Sequence, residues 1–167
     1  PSDFGFELKV SSVPNLSELK KIMEEELFQL SEAHYQRYFK TENYFNPIFI
    51  KLSPDENIDV ISEITKAIKE FNFDGVIASN TTIEKGDLIL QSTADLSGGL
   101  SGKPLLEKSN GVLSFVHSRE PGLLKIGVGG VHNKESFNKK LERGASLVQI
   151  YTSFIYHGPE IIKKLLN

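Results

Sequence analysis

The chain of 167 residues contains no cysteine, which excludes disulfides, thiolate metal sites and a cysteine nucleophile or base. No apolar run approaches the roughly 18 residues needed to span a bilayer. No cluster of lysine and arginine stands out, and the formal net charge is −3, so nucleic acid is not an expected partner. The four histidines show no metal-ligand spacing. His34, His117 and His132 lie in polar or helical surroundings and read as surface residues, and His157, before Gly158-Pro159, reads as a turn residue. There is no HExxH, no G-x-S-x-G, no Walker A and no G-x-G-x-x-G. Zinc hydrolase, nucleoside triphosphatase and dinucleotide-binding readings lose their support, and no metal is expected.

What is present is ordinary globular material, 39% hydrophobic and 25% charged, enough for one domain with a real core. Short apolar runs alternate with amphipathic segments. The expected strands are Phe4–Val10, Pro47–Leu52, Asp74–Ser79, Leu123–Val128 and Ser146–Ile150. Between them, Leu19, Ile22, Met23, Leu27 and Leu30 share a helical face, as do Ile61, Ile64, Ile68 and Phe71. Ser53-Pro54-Asp55-Glu56 reads as a capping box opening the second of these helices. Pro104 opens a third helix, using Leu105, Val112 and Val116, and Asn133–Arg143 and Pro159–Leu166 supply two more. Residues 31–46 read as an extended connection. Residues 83–103 read as a functional loop, too long for a simple βα link. This β-α order, repeated about five times, predicts an α/β fold with a parallel sheet and right-handed crossovers. Its strands should be buried on both faces.

The polar interruptions gather at the C-terminal ends of the strands, the rim where parallel α/β proteins bind ligands. Lys51 breaks Ile48-Phe49-Ile50-Lys51-Leu52. It reads either as a snorkelling lysine or as a fixed cation beside an anionic cofactor or substrate. Ser11-Ser12 reads as a turn or helix cap, or as a base whose environment must help it accept a proton. Asn80-Thr81-Thr82 is a short cap or, through the amide's paired donor and acceptor, a match for a planar imide-like edge. Gly98–Gly102 before Lys103-Pro104 aims backbone N–H groups at an anion. Gly129-Gly130 and Tyr151-Thr152 each end a β-branched run. They are either tight turns or the paired phosphate grip that a (β/α) barrel builds after its last two strands.

Five segments carry a family resemblance: Phe49–Asp55, Asp74–Thr82, Gly98–Leu105, Ile126–Val131 and Gly144–Thr152, the last running on to Pro159. Together, from about Ile48 onward, they resemble the class 2 dihydroorotate dehydrogenases, membrane-associated and quinone-reducing. The resemblance implies a (β/α)8 TIM barrel, here about its C-terminal five β/α units, making residues 1–167 a partial FMN-binding domain. It implies oxidation of dihydroorotate to orotate in de novo pyrimidine biosynthesis, with quinone as electron acceptor. Gly102, Gly129, Gly130, Tyr151 and Thr152 would hold the FMN phosphate, and Lys51 and Ser79 would contact the flavin ring. Asn80 and Thr81 would bind the substrate, with Ser12 and Lys51 catalytic. Class 1 enzymes use a cysteine base, so a Cys-free chain fits class 2.

In the resemblance, the quinone site and membrane association belong to helices ahead of this segment, and the chain, beginning on Pro1, reads as a fragment or processed product. Location would be the mitochondrial inner membrane in a eukaryote or the cytoplasmic membrane in a bacterium. The family's strand-end pattern Asn-x-Ser-Ser-Pro-Asn-Thr-Pro is replaced by Lys9-Val10-Ser11-Ser12-Val13-Pro14-Asn15. That replacement motivates a second reading, a catalytically impaired relative serving as an FMN- or phosphate-binding or assembly module. An FMN barrel oxidoreductase of altered substrate is a third reading, which the intact Asn80-Thr81-Thr82 disfavours.

Overall fold

The computed structural model describes residues 47–84 and 98–167. The expected strand Phe4–Val10, Ser12, the connection at 31–46 and most of the loop at 83–103 lie outside these residues. Within them, four strands and five α-helices alternate: β1 Phe49–Leu52, α1 Ile58–Glu70, β2 Gly75–Ala78, α2 Leu106–Arg119, β3 Leu124–Val128, α3 Lys134–Glu142, β4 Leu147–Gln149, α4 Thr152–His157 and α5 Glu160–Leu166. All neighbouring strands are parallel, in the order β1-β2-β3-β4. Successive strands lie side by side because each crossover carries a helix back over the sheet.

α1 buries the stripe Ile61, Thr65 and Ile68; Thr65 satisfies its own hydroxyl by donating to the Ile61 carbonyl at 2.7 Å. Its start differs from the expected capping box. Asn57 is the cap, accepting from the Asp59 N–H. Ser53 instead accepts from the Asp55 N–H, 3.2 Å, and closes a turn. That turn frees the Asp55 carboxylate for partners elsewhere. α3 begins as expected, with a complete capping box between Asn133 and Ser136. Pro104 lies in a short 3-10 turn, Lys103–Leu105, that leads into α2.

The helices bury one face of the sheet. Leu52, Val76, Ala78, Lys125 and Gly127 are all covered there, packed beneath Leu113 and Val116 of α2, which are wholly buried. Each such aliphatic side chain contributes about 1.5–3 kcal/mol by leaving water. The other face is only partly buried. Lys51, Ile77, Ile126 and Leu147 pair across it; Lys51 and Leu147 are exposed and the two isoleucines half-buried. Burial on both faces, expected from the apolar runs, is therefore met on one face only among the described residues. Val131, Ile161 and Leu165 form a satellite core, with Phe137, Val148 and Ile150 packed on it; it docks α5 behind the exit of β3.

Candidate functional site at the strand exits

The C-terminal ends of the four strands open into a pocket of about 220 Å³. Its lining is Lys51 from β1, Ser79, Asn80 and Thr81 after β2, Ser101, Gly102 and Leu105 ahead of α2, Val128–Val131 at the end of β3, and Gln149–Thr152 at the end of β4. Nine of the ten residues singled out in the sequence line it together: Lys51, Ser79, Asn80, Thr81, Gly102, Gly129, Gly130, Tyr151 and Thr152. Ser12, the tenth, lies outside the described residues. The alternation of a strand explains part of the convergence, because Lys51, Val128 and Gln149 continue the sheet's open face up to the rim.

The β3 exit is a turn built on glycine. Gly129 and Gly130 have φ of +105° and +80°, and a Cβ on Gly130 would stand 2.4 Å from Leu106 Cα. Only glycine meets both demands. The carbonyls of this turn are tied inward. Val128 accepts from the Ser79 N–H at 3.1 Å, Gly129 from Ser109 Oγ at 3.1 Å, and Gly130 from His132 Nδ1 at 2.7 Å. In a trans peptide the C=O and the following N–H point opposite ways. Drawing the carbonyls inward thus turns the Gly130 and Val131 N–H groups outward, the arrangement that binds anions.

The β4 exit closes the same side. Thr152 Oγ1 donates to Ser101 Oγ at 3.0 Å, and a Cβ on Gly102 would lie 3.2 Å from Thr152 Cγ2. The two segments thus touch without room to spare. Tyr151 caps α4 from the rim and is 70% exposed.

Across the pocket, Asn80 Oδ1 accepts from the Thr81 N–H at 2.9 Å and shapes its own turn. Next to it, Thr82 pairs with Leu100 through backbone bonds of 3.2 and 2.7 Å in an antiparallel bridge. This bridge closes the 83–103 loop at its base. The Asp55 carboxylate accepts from Thr82 Oγ1, from the Ile83 N–H at 2.7 Å and from Lys108 of α2. Lys108 also reaches Glu84 at 2.6 Å. Burial pushes the Asp55 carboxyl up, but the hydrogen bonds from Lys108, Thr82 and Ile83 and the Lys108 charge outweigh it and hold the pKa below its ordinary value. For Lys108, burial pulls down while Asp55 and Glu84 pull harder up, so its ammonium is held above the usual range.

Several residues of the site were not singled out in the sequence. Ser101 and Gln149 carry a signal in retrospect: a hydroxyl beside Gly102, and a polar residue ending β4 two positions before Tyr151. Lys108 and Ser109 carry none, since each is one polar residue among many on α2. The described histidines stay away from the chemistry, His117 and His157 exposed and His132 serving the turn carbonyl. Among the described residues no cluster of His, Cys, Asp or Glu could hold a metal ion, and no helix is long and apolar enough to cross a membrane.

Residues 5–167 match the family described as dihydroorotate dehydrogenase. The chain is 43% identical over 121 residues to a dihydroorotate dehydrogenase (quinone) of Dichelobacter nodosus, covering 72% of this chain and 36% of that protein. With the protein of the same description from Christiangramia forsetii it is 38% identical over 161 residues, 96% of this chain and 47% of the relative. The crystal structure of DHODH from Eimeria tenella in complex with ferulenol superposes with a TM-score of 0.69 at 30% identity, over 89% of this chain and 39% of that one. The chain thus spans less than half the length of these relatives. With four parallel strands, covering helices and a rim pocket of the TIM-barrel type, the chain belongs to the dihydroorotate dehydrogenase family.

Proposed function

We propose that this chain supplies the flavin- and pyrimidine-binding rim of an enzyme that oxidises dihydroorotate to orotate in pyrimidine biosynthesis and passes the electrons to a quinone. The observation that carries the reading is the convergence on one pocket of a cation, an amide and two glycine- or hydroxyl-ended strand exits, each from a different β/α unit.

The residues present fit FMN. Glycine turns at the pocket, packed too closely on Leu106 and Thr152 to take a Cβ, leave backbone N–H groups that suit a phosphate, with Gly102, Gly129, Gly130, Tyr151 and Thr152 holding it through backbone and hydroxyl groups. Lys51 and Ser79 line the same pocket and would face the flavin ring. Bound FMN supplies a two-electron acceptor for the hydride leaving C6 of the substrate. With FMN bound, the Lys51 ammonium would compensate negative charge developing on the flavin ring. Asn80 and Thr81 offer an amide and a hydroxyl to the imide and carboxylate of the pyrimidine. By family resemblance Ser12 takes the C5 proton, so that proton and hydride together account for the two hydrogens lost. Quinone access and membrane attachment belong, in the same reading, to family segments outside the matched part.

The test is optical. The chain, joined to the preceding family segment, is expected to copurify with oxidised-flavin absorbance that bleaches on adding dihydroorotate. Lys51→Ala should retain flavin but slow bleaching by about 100-fold, the size of a lost electrostatic contact; unchanged bleaching would remove its assigned role. Flavin without bleaching favours the impaired binding module, which the altered Lys9–Asn15 segment motivates. Absence of flavin defeats the proposal.

A further inference from the structure

Lys140 of α3 has no exposed surface, yet it lies in the same helix as Lys139, which meets Glu135 at 3.0 Å on the exposed side. Its ammonium donates to Ser109 Oγ at 2.6 Å and lies 3.3 Å from the Val128 carbonyl. Ser109, itself fully buried, turns its hydroxyl to the Gly129 carbonyl at 3.1 Å or the Leu106 carbonyl at 3.0 Å. The stem passes over Gly127, where a Cβ would stand 3.1 Å from Lys140 Cδ. The sheet is therefore notched to admit this side chain. Burying an ammonium is costly when an apolar residue of similar length would pack in its place, so the position calls for a function.

We infer that Lys140 is a positioning residue for an anion held at the Gly129–Val131 turn. Through Ser109 it draws the Gly129 carbonyl inward, which points the Gly130 N–H outward, and it adds a positive charge behind those N–H groups. Resting on the reading above, the anion is the phosphate of FMN. Neither Lys140 nor Ser109 lines the pocket. Their effect passes through the turn, and it acts on the phosphate end of a flavin and not on its ring.

Titration of the flavin-stripped protein, the chain joined to the preceding family segment, with FMN and with riboflavin, which lacks the phosphate, separates this role from a purely structural one. Lys140→Met is expected to weaken FMN about tenfold, the size of one charge-assisted contact, while leaving riboflavin unchanged. Ser109→Ala, which keeps the ammonium and removes the relay, should lower the FMN-to-riboflavin preference by a smaller factor. A preference kept at its wild-type value in both variants overturns the inference, even if thermal stability changes. If the unaltered chain binds neither flavin, the FMN reading fails separately. Inorganic phosphate then decides the inference: thermal protection of the wild-type chain that Lys140→Met lacks supports it, and equal or absent protection overturns it.

Discussion

The backbone at Gly130 has φ +80°, and the space a Cβ would need is taken by Leu106 Cα at 2.4 Å. Gly130→Ala meets strained backbone and a clash with the main chain of α2, so we expect a loss of about 2 kcal/mol or more. A urea midpoint shifted down, with flavin lost on gel filtration, is the expected result; a wild-type midpoint would contradict the geometry. Lys140 poses the opposite case. Burial pulls its pKa down to about 8, with Glu107 opposing, against 10.5 for an ordinary lysine. Between those values the unfolded chain binds more protons, so this residue makes stability rise with pH from about 8 to about 10.5. Below pH 8 its penalty is fully present, on the order of 3 kcal/mol. Lys140→Met leaves neither partner orphaned, because Ser109 still reaches carbonyls and Val128 still accepts from Ser79. The variant should therefore be no less stable than wild type at pH 7, and its advantage should shrink by pH 10. Urea unfolding of both proteins at the two pH values checks this, and an advantage that grows with pH would be the wrong sign. Lys51, Asn80, Gly129 and Tyr151 were legible in the sequence because each interrupts or ends an apolar run. Lys140 was not, because beside Lys139 it looks like a second surface charge, and the notch at Gly127 that admits it exists only after folding.

Among the elements, the segment after β2 depends on a junction that local sequence rules misread. Ser53–Glu56 has the letters of a capping box, but the helix starts on Asn57, and Asp55 is spent on long-range partners. Its carboxylate joins the β1–α1 turn, the β2 exit carrying Asn80 and Thr81, and the N-terminal part of α2. Local capping lost because three charge-assisted bonds to one carboxylate outweigh a single cap. Asp55→Asn removes the charge and part of the acceptor capacity, and it sets Lys108 against an amide. Orotate affinity should fall several-fold and proteolysis near the base of the 83–103 loop should quicken, while FMN affinity holds, since the β3 and β4 exits are braced elsewhere. Because the folded pKa of Asp55 is depressed, its contribution is present above the ordinary carboxylate value of about 3.9 and is lost as pH falls through the lower folded value. Stability measured at pH 6 and pH 3 should therefore drop more steeply in wild type than in Asp55→Asn. Parallel slopes would mean the carboxylate's bonds are energetically idle.

For the molecule as a whole, the order β1-β2-β3-β4 could be read from the alternation of apolar runs and amphipathic stretches, since right-handed crossovers leave few other arrangements. The burial of the sheet could not. A strand whose inner face lines a pocket and one packed on both sides can carry the same string of Ile and Val, and only the partners distinguish them. Here the uncovered face, with Ile77 and Ile126 half-buried, runs straight into the pocket, so ligand and sheet share one surface. The pocket draws residues from the exits of all four strands, and the Thr152–Ser101 and Lys108–Asp55 bonds cross between units. A ligand seated there ties four β/α units together, and binding free energy becomes folding free energy. At 100 times its dissociation constant FMN should add about 2.7 kcal/mol to unfolding. Hydrogen exchange at 47–84 and 98–152 should slow together as FMN is added, including amides near Lys51 and Asn80 that are remote in sequence from the proposed phosphate grip. Protection confined to Gly129–Thr152 would mean that the grip binds as a local element, and that the four exits do not act as one site.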